Sequence, residues 1–427
     1  MTEIVTIWAD WLRPSAGLAT VQWSLLLALA SLAGYLVQRH TGLPKVVGYS
    51  LVGGIAGFAG FSGAVWPLQG TGLFLLELAI ATVLFEAGGR IPLRWFRHNP
   101  MVLVQSIAES ALTYLAVAYA LQWQGVPARV AQALALVAMA ASPAILGRVA
   151  MDIRAAGPVT DRAMVLATLS TLYALSFGTA QAALEQRQQL HLLASLYPVV
   201  LVAAISVLVG GALALALRLA LKLMSPASDN TSVLLLALVA AATGIASHLG
   251  GSAPIAALLG GMLLKQLHPR PWAWPRQLGT AASLLTMMMF VLVSVVAAQM
   301  GWTAKTALLV LVLIAVRAAA KIAGVALGNW GSGASWRQAL WVGCAMSPMS
   351  SISLLIASQF ALSQGAAGRA VAQVALPAIL AMELLGAVVA TVALHRAGEA
   401  SRPWLPSRIG GRRGAARAPS ERDAHDA

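Results

Sequence analysis

Long apolar runs separated by short polar segments dominate the chain, and thirteen of them can be distinguished. Most are long enough to cross the ~30 Å hydrocarbon core of a bilayer as a helix, which takes about 20 residues. In lipid every backbone N–H and C=O must be paired, and only helices or closed barrels achieve this. Barrel strands alternate apolar and polar residues, and these runs do not. The pattern predicts an all-α polytopic membrane protein with about 13 transmembrane helices. The predicted spans are 20–37, 46–64, 71–88, 101–121, 128–150, 160–184, 193–221, 232–249, 252–267, 279–299, 304–328, 337–362 and 370–395.

The placement of basic residues supports this number of spans. When the loops are assigned alternately to two sides, 21 Lys and Arg residues fall on one side and 5 on the other. Because Lys and Arg accumulate in cytoplasmic loops, the N-terminus is predicted to be periplasmic and the C-terminus cytoplasmic, in a bacterial inner membrane. The net charge of +14 reflects the same bias, so we expect membrane lipids, and no nucleic acid, as partners. Residues 400–427 are predicted to be a disordered basic cytoplasmic tail.

Two of the spans contain a proline near their centre. The fifth carries Pro143 directly after Ser142, and the twelfth carries Pro348 after Ser347, with Ser350 two residues further on. Proline removes a backbone donor and clashes with the preceding turn, so both helices are predicted to break at membrane depth. The freed backbone groups then need partners from neighbouring helices, hydroxyl groups or a bound ion. For either break alone, an ordinary kink is the alternative interpretation.

The two breaks lie seven spans apart, and this offset predicts how the domain is organised. An odd offset indicates two inverted repeats, about 20–186 and 231–396, linked by the span at 193–221. Interrupted helices at matching positions of two repeats are the strongest sequence indication of a transporter site. We therefore predict one transmembrane domain, residues 1–399, in which the two Pro-broken helices cross at mid-membrane.

Six short segments follow one another at consistent spacing. They are Thr41 to Tyr49 with Gly53 and Gly54, Leu84 to Gly89, Ser252 to Gly261, Arg317 to Lys321, Glu383 to Gly386, and His395 to Glu399. Together they resemble the membrane domain of bacterial monovalent cation:proton antiporters of the potassium-efflux and sodium/proton exchanger type. The resemblance implies a dimerisation domain and a mobile core domain that carries the crossed broken helices. It also implies a homodimer, with a monovalent cation and protons as its substrates and no cofactor.

The chain departs from this family pattern at the ion site. The family places aspartates in the span after the first broken helix, where this chain has Ser170 and Thr171. Hydroxyl oxygens can bind Na⁺ or K⁺, but they do not titrate near neutral pH. Lys321 stands where a basic residue of the family pairs with a site aspartate. A buried lysine can lose its proton near neutral pH because burial disfavours the charged form, so Lys321 is a candidate proton carrier that lines the site. A purely structural pair with a carboxylate is the alternative interpretation.

Other ionisable residues lie at membrane depth, where charges are costly and face the protein interior. Glu109 lies in the fourth span and is the first choice for a titratable partner of Lys321, although a structural hydrogen bond is the alternative. Arg317 and Glu383 are predicted to have structural roles. The candidate ion-binding or substrate-binding residues are Ser142, Ser170, Thr171, Lys321, Ser347 and Ser350. No group of His, Cys and acidic residues has the spacing of a metal site.

Three functions are consistent with this sequence, none of them enzymatic. The first is secondary active exchange of Na⁺ or K⁺ for protons through a relocated titratable group. The second is transport of an anionic or neutral solute by the same fold, favoured if Lys321 has no carboxylate partner, since half-helix N-termini attract anions. The third is a non-transporting regulatory role.

Overall fold

The computed structural model describes residues 16–401, apart from 62–63, 65, 69, 90–98, 188–191, 226–227, 268–275 and 350. Ser350 and nearly all of the predicted tail therefore lie outside the described residues. Fifteen α-helices and no strands are found in the described part of the chain. They are α1 (Ala16–Thr41), α2 (Lys45–Phe58), α3 (Gly70–Gly89), α4 (Met101–Trp123), α5 (Ala128–Met139), α6 (Pro143–Ile153), α7 (Pro158–Arg187), α8 (Leu192–Leu223), α9 (Asp229–His248), α10 (Ala253–Leu267), α11 (Arg276–Ala298), α12 (Ala304–Leu327), α13 (Trp336–Ala345), α14 (Ser351–Ser363) and α15 (Ala366–Arg396).

The helices follow the predicted spans in order, which confirms the all-α fold class. Eight helices of the described chain are long and apolar enough to cross a membrane, by length and composition. The total of thirteen crossings stays a prediction. One boundary differs clearly, since α2 ends at Phe58 and the predicted second span continued to residue 64. There Ala59 and Gly60 turn the chain, and Gly60 takes a positive φ of 82° that ends the helix.

Each predicted broken helix is a pair of helices in the structure. Between α5 and α6, Ala140 and Ser142 have extended backbone, with ψ of 128° and 101°. Pro143 is the first residue of α6, a position where its missing N–H costs nothing. The hydroxyl of Ser142 accepts a hydrogen bond from the Ile145 N–H at 3.1 Å and caps the helix. The proline and the serine before it therefore end one helix and start the next.

Two small residues let α4 and α12 pack at very short range. Gly324 and Gly328, four residues apart on α12, face Glu109 and Gln105, also four apart on α4. A Cβ added at Gly324 would lie 2.4 Å from the Glu109 Cα, and one at Gly328 would lie 2.6 Å from the Gln105 Cα. Small residues at this spacing permit the close backbone approach that stabilises helix pairs in membranes.

The outer surface of the helix bundle is apolar. Large side chains on several helices are exposed, among them Leu25 of α1 at 61%, Tyr119 of α4 at 74% and Leu208 of α8 at 72%. Soluble monomers rarely expose apolar patches on this scale. The surface fits a hydrocarbon surrounding, while the polar residues that the sequence singled out lie inside.

Candidate ion-exchange site

The two breaks meet inside the protein and pair with each other. Ala141 and Met349 form an antiparallel bridge between the extended segments, and the Ser142 N–H donates to the Pro348 carbonyl at 3.0 Å. Both extended segments thereby recover part of the hydrogen bonding that the helix breaks remove. The crossing brings together the C-termini of α5 and α13 with the N-terminus of α6.

Arg317 of α12 holds these two C-termini in place. Its guanidinium donates from Nε to the Ala138 carbonyl at 2.7 Å and from Nη2 to the Ala140 carbonyl at 3.0 Å, both at the end of α5. On the α13 side it donates to the carbonyls of Ser347 and, at 3.2 Å, of Pro348. Carbonyl groups at a helix C-terminus carry partial negative charge, and the planar guanidinium serves both ends at once.

Lys321 lies one turn further along α12 and forms a fully buried ion pair with Glu109 of α4. Its ammonium group donates to the Glu109 Oε1 and, at 3.0 Å, to the Met139 carbonyl at the end of α5. Two hydroxyls of α4 also donate to the carboxylate, Ser110 to Oε2 at 3.2 Å and Thr113 to Oε1 at 3.3 Å. Each carboxylate oxygen therefore has at least one partner, as a buried charge requires.

Positive and negative charges at the crossing largely offset one another. Arg317 and Lys321 contribute two positive charges and the N-terminus of α6 roughly half a positive charge, while Glu109 contributes one negative charge and the C-termini of α5 and α13 roughly half a negative charge each. The proximity of opposite charges explains how Arg317, Lys321 and Glu109 can be completely buried. It also means that a change in charge on one of them must be compensated locally.

Ser170 and Thr171 of α7 bind the backbone of the first break. Ser170 Oγ accepts from the Ala141 N–H at 3.3 Å, and Thr171 Oγ1 donates to the Ala141 carbonyl at 2.5 Å. Together they satisfy both backbone groups of the central residue in the break. These hydroxyls lie at the crossing, but the structure records no contact between them and Lys321. They stabilise the backbone of the first break directly, and they affect the pair of Lys321 and Glu109 only by positioning the end of α5.

The remaining predicted residues are distributed around the crossing. Ser142 caps α6, and the carbonyls of Ser347 and Pro348 accept from Arg317. Ser353 of α14, which the sequence did not single out, donates to the Val137 carbonyl of α5 at 2.9 Å. Thr113 was also missed, although its position four residues after Glu109 on one helix would have indicated it.

Glu383 does not lie at the crossing. Its carboxylate accepts hydrogen bonds from Ser50 of α2 and Ser294 of α11, so it connects helices that do not contribute to the pair of Lys321 and Glu109. The predicted structural role of Glu383 stays a prediction, and its surroundings are taken up below.

A cavity of about 110 Å³ reaches the first break from the side on which α6 ends. Pro143 and Ala144 form its inner end, and Glu86 of α3 and Arg148 of α6 are the charged residues in its wall. By the distribution of basic loops this is the predicted cytoplasmic side. The cavity is lined mainly by apolar residues, and it extends from that side toward the crossing. The other lining residues are Val83, Ala87, Gly147, Met151, Met164, Ala282, Ser283 and Thr286.

Crossed broken helices with buried charges at their ends define a class of protein, the secondary membrane transporters. Comparison with protein families gives the particular family. The model of the transmembrane sodium/hydrogen exchanger family matches residues 27–397. The chain therefore belongs to the sodium/hydrogen exchanger family, which is a family of antiporters and not of enzymes. A sequence comparison with curated proteins gives no match.

Solved structures show the same fold. The sodium proton antiporter MjNhaP1 from Methanocaldococcus jannaschii, solved at pH 8, superposes with a TM-score of 0.65 at 14% sequence identity, over 88% of this chain and 96% of that one. A second structure of MjNhaP1, from an electron-microscopy map, gives a TM-score of 0.72 at 15% identity, over 91% of this chain and all of that one. At this identity the likeness establishes the fold, and the role of each residue must be argued from its contacts.

Proposed function

We propose that this protein exchanges a monovalent cation, Na⁺ or K⁺, for protons, and that the pair of Glu109 and Lys321 is the exchange site. The single observation that carries the proposal is the buried ion pair itself. Without the family's aspartates, it supplies both a negatively charged oxygen ligand and a group that can release a proton at the crossing. Family membership supports cation:proton exchange as the class of activity.

The contacts of Lys321 suggest how one site can serve both ions. When Lys321 Nζ loses a proton, the positive charge beside Glu109 disappears, and the neutral amine keeps two N–H groups for the Glu109 carboxylate and the Met139 carbonyl. The carboxylate is then left without a counter-charge. A monovalent cation bound to these two oxygens, with the Thr113 hydroxyl nearby, would restore the charge. Proton and cation would therefore occupy the site in turn, because either one balances the carboxylate.

This arrangement has a consequence for stoichiometry. The site carries the same net charge with protonated Lys321 as with neutral Lys321 and one monovalent cation. We therefore expect one proton to be exchanged for each cation, without net transfer of charge across the membrane.

The contacts disfavour transport of an anion. An anion site at the crossing would need a cationic group that is not already engaged. In the described residues Lys321 is paired with Glu109, and the Arg317 guanidinium donates to carbonyls of both breaks. An anion would have to displace Glu109 from Lys321 while the carboxylate stays buried, and a buried unpaired charge is very costly.

The test is transport by purified protein reconstituted into liposomes that contain a pH-sensitive dye. An inward gradient of Na⁺ or K⁺ should move protons outward, and clamping the membrane potential should not change the initial rate. If no alkali cation moves protons between mildly acidic and mildly alkaline pH, the proposal is wrong. If clamping the potential changes the rate several-fold, exchange persists but the one-to-one stoichiometry is refuted.

Variants distinguish exchange from a structural role of the pair. Neutralising one partner leaves a buried charge alone and costs about 3–5 kcal/mol, so Glu109→Gln is uninformative if it fails to fold. The double variant Glu109→Gln/Lys321→Gln retains two side chains that can hydrogen-bond and removes both charges. It should fold and be inactive. The control Glu77→Gln neutralises a partly buried carboxylate of α3 away from the crossing and should transport normally. Normal exchange by the double variant would show that the pair is structural.

A further inference from the structure

Glu383, Ser50 and Ser294 bring three oxygen-bearing side chains together where α15, α2 and α11 meet. The Glu383 Oε2 accepts from the Ser294 hydroxyl at 2.8 Å and from the Ser50 hydroxyl at 3.2 Å. All three residues are fully buried. A carboxylate and two hydroxyls in one buried location are uncommon in a membrane protein unless they serve a purpose.

The second oxygen of this carboxylate has no hydrogen-bond partner among the described residues. In the part of the chain that the structure describes, Glu383 Oε1 is buried and accepts no hydrogen bond, and no Lys, Arg or His forms an ion pair with Glu383. An ionised carboxylate in this state would be destabilised by several kcal/mol. A proton on Oε1 would remove the charge, and so would a bound cation.

The location is separate from the exchange pair but at similar depth. Gly386, one turn after Glu383 on α15, packs against Pro348 of the second break, where an added Cβ would lie 2.6 Å from the Pro348 Cα. Three residues of helix rise about 4.5 Å, so Glu383 lies about one turn from the level of the crossing. Gly53, one turn after Ser50 on α2, allows the close approach to Ser294 of α11.

We propose that Glu383, Ser50 and Ser294 form a second cation site, which binds Na⁺ or K⁺ independently of Glu109 and Lys321. Oxygen ligands of this kind suit alkali and alkaline-earth cations. A single carboxylate that forms no ion pair in the described part of the chain selects for a cation with one positive charge, since a divalent ion would leave an excess charge in the interior. The cation would bind Oε1 and the lone pairs that the two hydroxyls retain while they donate to Oε2.

Binding of radioactive Na⁺ to purified protein in detergent tests this site. The background is the Glu109→Gln/Lys321→Gln variant, which removes the exchange pair and so separates the two proposals. We expect this background to retain saturable Na⁺ binding that unlabelled K⁺ competes for. Adding Glu383→Gln should reduce binding to the non-specific level, and adding Ser294→Ala should raise the Kd by about tenfold. Ser294→Ala is the milder change if the triple variant is unstable.

The matched control is Thr391→Val, made in the same background. It removes a buried hydroxyl two turns further along α15, where Thr391 donates to the Ala387 carbonyl of its own helix, and should leave the Kd unchanged. Two results would overturn the proposal. One is Na⁺ binding in the background that persists after Glu383→Gln or is absent from the start. The other is an infrared band of a protonated carboxyl at saturating Na⁺ that disappears with Glu383→Gln, because the group would then hold a proton and no cation.

Discussion

Replacing Gly324 with alanine adds one methyl group at the closest point between α4 and α12. The added Cβ would lie 2.4 Å from the Glu109 Cα and 3.0 Å from its backbone nitrogen. Ordinary carbon contacts begin at 3.4 Å, so the two helices would have to separate by about 1 Å to restore one. The obstacle is backbone, and a rotamer change cannot relieve it.

Two effects of opposite sign determine how much Gly324→Ala changes the free energy of unfolding. Alanine favours a helix over glycine by about 1 kcal/mol, which would stabilise the variant. Overpacking of a close interface costs typically 1–3 kcal/mol, and we expect it to dominate because the clash involves backbone of the neighbouring helix. The shift also moves Glu109 relative to Lys321, and a misplacement of about 1 Å at a reactive centre can reduce activity by about 100-fold. Gly324→Ala should therefore lower both stability and exchange.

The assays are thermal unfolding in detergent and cation-driven proton movement in liposomes. Gly244→Ala in α9 is the matched control, since nothing lies within 4 Å of its added Cβ. We expect Gly244→Ala to transport like the unmodified protein and to have an equal or slightly higher Tm. Gly324→Ala should have a lower Tm and an exchange rate reduced by a factor of tens or more. Equal Tm and equal transport in the two variants would refute the argument that this contact positions the ion pair.

The other predictions concern two contacts that stabilise the fold, one at the crossing and one at the start of α7. Arg317→Lys should lower the Tm strongly, because one ammonium group cannot donate to the carbonyls at both half-helix ends. Arg317→Met should lower the Tm further, because it leaves several buried carbonyls unpaired at a cost of about 1–3 kcal/mol each. A Tm within experimental error of the unmodified protein would contradict this prediction. Glu399→Ala should destabilise the protein by about 1–2 kcal/mol in chemical unfolding, because its carboxylate caps α7 through the N–H groups of Val159 and Thr160, both at 2.7 Å. Ser401→Ala, which removes a single exposed hydrogen bond, is its control and should have almost no effect.

Much of the architecture could be predicted from local sequence. The helices follow from apolar runs in which every backbone group must be paired, and the breaks follow from Pro143 and Pro348, which cannot continue a helix. The identity of the buried charged residues was likewise visible, because an ionisable residue within an apolar run must face the interior. These inferences depend on neighbours along the chain and on the solvent, both of which the sequence specifies directly.

The partners of those charged residues required the tertiary structure. Lys321 and Glu109 are 212 positions apart, and their pairing depends on Gly324 allowing α12 to approach α4. The sequence suggested that the hydroxyls of Ser170 and Thr171 form an ion site. Their recorded hydrogen bonds are instead to the backbone of Ala141 in the first break and of Ala167 in α7. Glu383 finds two serines and leaves one oxygen unpaired because three helices distant in sequence converge there. The sequence by itself determined which groups are buried, and only packing between distant helices decided which of them meet.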